Sequence, residues 1–253
     1  MKGQIDALRD YVNKNQKHLS KTTLRSMEGD FRLRFTHQST KSEGNTLTPN
    51  EVKTVLEDGF SVAGKSLREI YEVTNHDRAY QYCLKAVASS RSLDEDLIKD
   101  IHQIIMTNIA VGGIYRDCNV RITGASHRPP DWTVVRDEMR FFMADKEEKK
   151  KDLHPVSYAA WIHAEFVRIH PFVDGNGRTA RMLLNFALLE ERHKPIVIDS
   201  KDRASYYDAL DAYGMSRDLA PFDRFVSELE LATLADYRAE IQRALLSREQ
   251  EAR

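Results

Sequence analysis

The chain has 253 residues, of which 41% are hydrophobic and 30% charged, and its formal net charge at pH 7 is −1. A chain of this size and composition can bury a substantial core, whereas its balanced charge gives no electrostatic footprint for nucleic acid. It contains no long apolar run that would span a membrane, and its two cysteines, Cys83 and Cys118, are too few for a disulfide framework. We therefore expect a soluble, cytoplasmic protein.

Apolar residues recur at helical spacing along most of the chain. Outside the central motif described below, the spacing predicts helices at about 5–17, 25–43, 49–60, 66–89, 93–109, 133–145, 203–213 and 221–246. Lysine and glutamate dominate residues 146–152, which we interpret as a solvated loop. The predicted fold class is all-α (mostly helical), with one short β-hairpin as the exception.

The second predicted helix ends close to the start of the third. Ser39 and Glu43 are four residues apart and share a helix face, and Gly44 or Asn45 supplies a stop signal. Thr48 and Glu51 then form a capping box for the next helix. An acid at a helix C-terminus opposes the helix dipole, so we expect Glu43 to have a cationic partner elsewhere in the fold.

A stretch between Gly112 and Pro130 has β-branched residues placed between turn signals, a pattern that predicts the hairpin. An exposed hairpin edge offers unpaired backbone groups to which an extended segment of another protein can add as a strand. We expect this role for the hairpin; the alternative is an ordinary surface hairpin.

The sequence HPFVDGNGRTAR, at residues 170–181, lies between two apolar segments. Residues 156–169 leave almost no polar stripe, so they predict a helix that is buried nearly all round. Pro171 ends this helix, because it disfavours the helical conformation of His170 and has no N–H. A second apolar helix begins near Arg178. The motif is therefore a loop held between two core helices.

This loop has the features of an anion site. The run Gly175-Asn176-Gly177 permits positive φ, and the free N–H groups of the following helix point into the same space and favour an anion. Arg178 and Arg181 are unfavourable at this end of the helix dipole unless an anion compensates them. The arginines therefore indicate a polyphosphate ligand.

Asp174 and His170 flank this glycine-rich turn. Asp174 is a hard oxygen ligand suited to Mg²⁺, and His170, neutral near pH 7, can accept a proton from a substrate hydroxyl. A histidine before proline or a Gly-Asn-Gly turn is, alone, more often structural. Their coincidence within one short loop favours a nucleotide phosphate site. The other histidines are too scattered for a metal cluster and are interpreted as packing or hydrogen-bonding residues, among which His163 is the one to check for contact with the site.

These residues resemble the signature of the Fic (Fido-domain) family of nucleotidyl transferases, HxFx(D/E)GNGRxxR, which His170, Phe172, residues 174–178 and Arg181 match in full. The resemblance implies the all-α Fic/Fido fold, in which the hairpin is the flap. It implies that His170 deprotonates a Ser, Thr or Tyr hydroxyl of a target protein for attack on the α-phosphate of ATP, so that AMP is transferred and pyrophosphate leaves. It makes Asp174 the ligand of Mg²⁺, or of Mn²⁺.

The resemblance also implies which residues bind the nucleotide. Tyr206 and Tyr207 match a tyrosine pair that packs on the adenine, and Tyr207 is the stacking candidate. Relatives often have an asparagine where this chain has Gly214. The nucleotide-binding residues expected on this basis are Thr123, Gly124, Ala125, Ser126, Asp174, Gly175, Asn176, Gly177, Arg178, Thr179, Ala180, Arg181, Tyr206 and Tyr207.

Ser39, Glu43 and Gly44 match the inhibitory motif of the family, (S/T)xxxE(G/N). In that motif the glutamate binds the second arginine of the signature, here Arg181, and blocks the seat of the γ-phosphate. Because Glu43 precedes the signature in the same chain, the resemblance implies self-inhibition without a separate antitoxin. The alternative is that Glu43 is a solvated surface acid.

We expect an N-terminal helical region at 1–90 that contains the inhibitory helix (39–44), a Fido catalytic core at 91–232, and a C-terminal helix and tail at 233–253. The predicted activity is protein adenylyl transfer. Two alternatives stay open: removal of AMP from a modified target, with Glu43 orienting water, and a non-catalytic nucleotide-sensing regulator. The expected partner is a target protein, not nucleic acid or a membrane, and a homodimer is compatible with the resemblance.

Overall fold

The computed structural model describes residues 1–251 and is mostly helical, as the apolar spacing predicts. Within these residues the helices are α1 (Lys2–Asn15), α2 (Lys21–Lys41), α3 (Pro49–Lys53), α4 (Leu67–Ala88), α5 (Glu95–Met106), α6 (Val135–Asp152), α7 (Pro155–Ile169), α8 (Asn176–Glu190), α9 (Arg203–Ser216) and α10 (Ala220–Glu251). A π-helical turn, Thr54–Asp58, continues α3, and three short 3₁₀ segments lie at Gln16–His18, Trp132–Val134 and Ser200–Asp202. No helix in the described range is long and apolar enough to cross a membrane.

The helices α3 and α4, which carry the N-terminal part of the site, begin at full capping boxes. At α3, Thr48 accepts from the amide of Glu51 while the Glu51 carboxylate accepts from the amide of Thr48, which confirms the predicted box. Ser66 and Glu69 make the same reciprocal pair at α4. These caps satisfy amides that would otherwise lack partners at the helix start, so both helix starts are fixed in position.

The core is built around α7 and α8, which pack against each other more extensively than any other pair of elements in the described chain. The helices α4 and α5 pack on α8, whereas α6, α9 and α10 pack on α7, and α1 lies against α10. Nearly every residue of α7 and α8 is buried. The loop between them, residues 170–175, therefore has both of its ends fixed in the centre of the molecule.

Residues 146–152 are helical, so the predicted solvated loop is wrong, and α6 runs on to Asp152. Lysine and glutamate are good helix formers, and lysines in the last turn interact favourably with the helix dipole. Lys146 is itself buried and donates from Nζ to the carbonyl of Leu93 at 2.5 Å. A charge-rich composition does not by itself end a helix.

The predicted β-hairpin is not formed, because residues 112–130 contain no strand, nor does any other part of the described chain. The amide of Arg116 donates to the carbonyl of Pro171 at 2.9 Å, and its buried guanidinium donates to the carbonyls of His170, Cys118 and Pro130. Within this segment, the Arg116 side chain therefore satisfies the carbonyls of Cys118 and Pro130. A lone two-stranded hairpin is marginally stable in water, so this network prevails. We call residues 112–130 the flap segment.

The interior contains neutral histidines. Burial lowers the pKa of His76 and His163 well below the ordinary value, and lowers the pKa of His102 and His170 to about 4. In the unfolded chain the same side chains titrate near a pKa of about 6.5. Below that pH the unfolded state binds more protons than the folded state, so the stability that the neutral histidines contribute is complete above about pH 6.5 and is lost as pH falls towards 4.

We expect the melting temperature to fall between pH 7 and pH 5, with each buried histidine contributing up to about 1.4 kcal/mol per pH unit in that window. Thermal melts followed by circular dichroism at a series of pH values test this. As a control, His163→Phe keeps a ring but removes one titrating group, so its melting temperature should depend less steeply on pH. A slope unchanged in that variant would contradict the assignment.

Candidate active site

A cavity of about 670 Å³ opens where five parts of the chain meet. They are the 170–175 loop, the start of α8, the turn after α2, the flap segment and α9. Most of the predicted site residues line it: Glu43, Gly44, Thr123, Gly124, Ala125, His170, Asp174, Gly175, Asn176, Gly177, Arg181, Tyr206 and Tyr207. The remaining predicted residues, Ser39, Ser126, Arg178, Thr179 and Ala180, are not among the lining residues. The surface of the cavity is thus assembled from parts of the chain that are far apart in sequence.

The loop has left-handed backbone at both ends, with φ of 51° at His170 and 78° at Gly175. A Cβ at Gly175 would lie 2.9 Å from Sδ of Met106 and 3.1 Å from Nε2 of His102, so glycine is required for space as well as for conformation. The side chain of Asn176 fixes the middle of the loop, because it accepts from the amide of Phe172 at 2.9 Å and donates to its carbonyl at 2.8 Å.

His102 on α5 supports this loop from beneath. Its Nδ1 accepts from the amide of Gly113 at 2.9 Å, so Nε2 carries the proton and donates to the carbonyl of Asp174 at 2.9 Å. The ring stacks on Phe172 with centroids 3.6 Å apart. Sequence reasoning missed His102, whose only signal is its place on the apolar face of α5. The neutral ring joins the flap segment to the loop.

His170 presents one free ring nitrogen to the cavity. Its Nδ1–H donates to the carbonyl of Val167 at 3.2 Å, which leaves Nε2 unprotonated and available as an acceptor. Burial lowers the pKa of His170 to about 4, against the smaller opposing influence of the Val167 carbonyl and Glu43. The imidazole is therefore neutral near pH 7 and is suited to receive a proton.

The two signature arginines are both buried but face different surroundings. Arg178 lies behind the loop, with Nη2 3.3 Å from Oδ1 of Asp174, and its Nε and Nη1 have no hydrogen-bond partner. Arg181 donates to the hydroxyl of Ser39 at 2.8 Å, to the carbonyl of Ser39 at 2.9 Å and to Oε1 of Glu43 at 2.7 Å. Burial alone would lower the pKa of Arg181, but Glu43 reverses this, so the pKa is raised.

Glu43 lies on the anion nest itself. The helix α2 ends at Lys41, two residues before the predicted end. Glu43 therefore lies in the turn after the helix, and Gly44 closes this turn with a φ of 99°. A Cβ added to Gly177 would lie 2.1 Å from Oε1 of Glu43. The second glycine of the nest is therefore what allows this carboxylate to approach the start of α8.

Asp174 is the one acidic side chain of the loop, and its carboxylate is partly exposed. Its Oδ1 accepts from the amide of Gly175 at 2.6 Å, and its Oδ2 accepts from Nη2 of Arg68 at 2.6 Å. Burial would raise the pKa of Asp174, but Arg178, the Gly175 amide and Arg68 together lower it, so the group is ionised.

A charged carboxylate at the mouth of an anion nest fits a Mg²⁺ or Mn²⁺ ion that keeps most of its waters and takes its other ligands from phosphate oxygens. Asp174 is such a group. Residues 1–251 contain no cluster of three or more histidine, cysteine or acidic side chains that could enclose a metal by themselves.

The two tyrosines of α9 have different surroundings. Tyr206 is buried, and its hydroxyl lies 3.0 Å from Nε2 of His163 and 3.5 Å from Nη1 of Arg181. Tyr207 is more exposed, and the guanidinium of Arg203 lies over its ring, 5.5 Å from the centroid. His163 thus contacts the site through Tyr206, and Tyr207 is the more exposed of the two tyrosines that line the cavity.

His127, which sequence reasoning did not single out, fills space beside Gly214. A Cβ at Gly214 would lie 2.6 Å from Cγ and 2.7 Å from Cβ of His127. The ring is held by a hydrogen bond between Nε2 and the carbonyl of Arg168 at 3.0 Å, and the amide of His127 donates to Asp211. The flap segment thus packs on α9 where a larger residue at position 214 would clash.

The fold and the loop define a helical protein with an anion-binding nest between two core helices. The Fic/DOC family model matches residues 92–188. The chain is 32% identical over 238 residues to the protein adenylyltransferase Fic of Drosophila persimilis and 31% identical over 225 residues to that of Drosophila grimshawi, which is 92% and 87% of this chain. These alignments cover 46% of each relative, so the chain spans about half the length of the curated relatives it matches.

Solved structures give the same result. A Fic domain containing signaling protein from Bacteroides thetaiotaomicron superposes with a TM-score of 0.85 at 26% identity, covering 94% of this chain and 97% of that protein. Fic-1 from C. elegans superposes with a TM-score of 0.84 at 29% identity, covering 96% of this chain and 72% of the other. The chain therefore contains a Fic/DOC family domain, and its fold is the Fic fold.

The contact between His127 and Gly214 predicts an unusual response to alanine. Glycine to alanine within a helix normally stabilises by about 1 kcal/mol. At Gly214 the new Cβ would clash with His127, so we expect Gly214→Ala to lower the free energy of unfolding. In the His127→Gly background the clash is absent, and the same change should be neutral or stabilising.

Chemical denaturation of the four proteins in this double-mutant cycle measures the coupling. Gly29→Ala in α2 is the matched control, because nothing lies within 4 Å of its Cβ position, and it should stabilise by the ordinary amount. Additive free energies at residues 127 and 214 would show that the two are not in contact.

Proposed function

We propose that the protein is an adenylyltransferase that transfers AMP from ATP to a Ser, Thr or Tyr hydroxyl of a target protein, and that Glu43 restrains this activity. The observation that carries the proposal is that a carboxylate of the chain itself occupies the nest and binds Arg181 at 2.7 Å. A site that attracts an internal anion this closely is suited to the terminal phosphate of a nucleotide. The name protein adenylyltransferase, carried by the relatives that match most of this chain, supports the same activity.

His170 is the general base in this proposal. Its unprotonated Nε2 accepts the proton of the attacking hydroxyl as the hydroxyl oxygen forms a bond to the α-phosphorus. The bond from that phosphorus to the bridging oxygen breaks, and pyrophosphate leaves with the electron pair. The position of His170 at the end of α7, with Nδ1 fixed by the Val167 carbonyl, aims Nε2 into the cavity and lowers the reorganisation needed for attack.

The nest and Arg181 hold the phosphates of ATP in this proposal, and Tyr207 supplies a face for the adenine. Asp174 would hold Mg²⁺ or Mn²⁺ together with the phosphates, and such an ion neutralises charge that develops on the phosphate oxygens. The nest itself carries Gly175 and Gly177, which have no side chains, so a phosphate oxygen can approach the backbone at the start of α8 closely once the carboxylate of Glu43 has left.

Self-inhibition is the second part of the proposal, and the position of Glu43 supports it. Its carboxylate lies where a γ-phosphate oxygen would bind Arg181 and the start of α8, so ATP can bind only with that phosphate displaced. The α-phosphate is then misplaced relative to His170, and a displacement of about an ångström costs on the order of a hundredfold in rate. Because Glu43 belongs to the same chain, the proposal needs no separate antitoxin protein.

The approach of the target protein, the compartment and the oligomeric state are further parts of the same proposal. The flap segment forms one rim of the cavity next to His170, so we propose that the target protein approaches over it. Cys83 and Cys118 are free thiols, which is compatible with a reducing compartment, and we propose the cytoplasm. The proposal accommodates a homodimer, since the cavity is built from one chain.

We expect His170→Ala to abolish AMP transfer while ATP affinity and folding are largely retained, because a base contributes to the transition state far more than to ground-state binding. Transfer of label from α-labelled ATP measures the activity, and calorimetry measures the ATP affinity. Because the pKa of His170 is about 4, the rate in an active background should not fall between pH 8 and pH 6, where an ordinary histidine would become protonated. A rate that halves near pH 6.5 would contradict the buried, neutral base.

We expect Glu43→Gly to raise self-modification and target modification by at least about tenfold, because it frees Arg181 for the γ-phosphate. Label from α-labelled ATP on the protein is the measurement. Adding Arg181→Ala should remove the gain. Glu57→Gly, an acid outside the cavity, is the control and should leave the rate unchanged.

A folded Glu43→Gly protein that transfers no faster than wild type would contradict self-inhibition. If that variant instead loses the ability to remove AMP from a modified target, Glu43 acts in hydrolysis. If no variant transfers AMP while ATP still binds, the protein is a nucleotide-sensing regulator and the proposed activity is wrong.

A further inference from the structure

Arg68 makes a contact with the loop that the proposed reaction does not use. Its Nη2 lies 2.6 Å from Oδ2 of Asp174, and its Nε donates to Oε1 of Glu72 at 3.1 Å. The Arg68 side chain is 58% exposed, whereas Glu72 is only 9% exposed. One end of the guanidinium is therefore fixed by a buried acid while the other end reaches across to the loop.

Arg68 contributes little to the stability of α4, the helix that carries it. Arg68 is the second residue of α4, where a cation opposes the helix dipole. Its partner four residues later is Glu72, and an ion pair with the cation N-terminal to the acid is the weaker of the two orders on a helix. Local helix stability therefore does not account for an arginine here. The contact with Asp174, 106 residues away in sequence, is what distinguishes it.

The two oxygens of Asp174 have different tasks. Oδ1 is used within the loop by the amide of Gly175 and by Arg178, so Oδ2 is the oxygen left for a ligand outside the loop. Arg68 occupies that oxygen. A guanidinium at this distance opposes the binding of a divalent cation to the same carboxylate oxygen, because like charges at such separations repel.

We propose that Arg68 is a positioning residue that competes with the divalent cation for Asp174, so that the metal must displace the guanidinium before the nucleotide is seated for transfer. This inference rests on the proposed function, since it concerns the metal that accompanies the nucleotide. It adds a second internal ion to the site: Glu43 stands in for the γ-phosphate at Arg181, and Arg68 stands in for the metal at Asp174.

The two stand-in ions are connected through two side chains, Asn45 and Glu72. Asn45 follows the Glu43–Gly44 turn, and its Nδ2 donates to Oε2 of Glu72 at 3.0 Å, while the other oxygen of Glu72 holds Arg68. Displacement of the turn after α2 therefore disturbs the carboxylate that orients Arg68. Release of Glu43 and release of Arg68 should favour each other.

The test is the Mn²⁺ dependence of binding of a non-hydrolysable ATP analogue, measured by calorimetry over a series of Mn²⁺ concentrations for wild type and Arg68→Ala. We expect the Mn²⁺ concentration of half-maximal effect to fall by about two- to fivefold in Arg68→Ala, the range for loss of an exposed ion pair. Arg78→Ala is the control, because it removes an exposed arginine from the same helix, roughly 15 Å further along it. Its Mn²⁺ midpoint should be unchanged.

With the metal chelated, Arg68→Ala and wild type should bind the analogue equally. Weaker binding by Arg68→Ala at every Mn²⁺ concentration would make Arg68 a phosphate ligand and overturn the competition, and an unchanged midpoint in a folded variant would do the same. AMP transfer is assayed separately in the Glu43→Gly background, where the proposed restraint is removed: absence of transfer there, together with the expected Mn²⁺ shift, refutes the proposed function alone. Failure of the analogue to bind either protein refutes both.

Discussion

The positive charge buried at the start of α8 is the constraint on which the site depends. Arg178 and Arg181 are both almost inaccessible to solvent, and they lie at the helix end that already carries the positive pole of its dipole. Buried cations are tolerated only when anions and acceptors accompany them. In this molecule Glu43 and Ser39 accept hydrogen bonds from Arg181, whereas Asp174 accepts one from Arg178. The contact between the end of α2 and the start of α8 is therefore stabilised by electrostatics as well as by apolar packing.

The same site requires a rigid loop, and the rigidity comes from paired polar groups. His102 bonds the flap segment on one side and the loop on the other, Asn176 brackets Phe172, and Arg116 donates to the carbonyls of His170 and Pro171. Buried polar groups that are fully paired specify one arrangement, because any displacement leaves a donor or acceptor unsatisfied. The position of His170 is thus set by side chains from three separate segments.

Local patterns predict much of this structure. The helical periodicity predicts the mostly helical fold, the Thr48 capping box starts α3, and the unfavourable place of Glu43 near a helix end predicts a cationic partner, which in the structure is Arg181. Each of these inferences depends on residues close together in sequence or on the sign of a charge. The continuation of α6 through residues 146–152 was missed because composition was taken as a sign of solvation when the local propensity was helical.

The rest depends on contacts between distant segments that leave no periodic trace. The flap segment has strand-like residues, yet the reach of Arg116 to three carbonyls replaces strand pairing. Arg68, His102 and His127 each act through a partner more than 40 residues away, and no spacing rule connects such pairs. One sequence without structure shows which residues are chemically capable, but not which of them the fold brings together.

The energy scale of the site makes internal ions suitable as a restraint. A tenfold change in rate or affinity corresponds to about 1.4 kcal/mol, and one hydrogen bond to a charged group is worth about 1.5–3 kcal/mol. Under the proposed function, the contact of Glu43 with Arg181 is strong enough to compete with a phosphate for the nest yet weak enough to be exchanged for one. Because Glu43 lies in a turn after α2 and is 31% exposed, it can leave without unfolding the core that holds Arg181. A ligand or partner that prefers the released turn by only a few kcal/mol would shift the population of the site, since the shift is limited by its differential affinity for the two states.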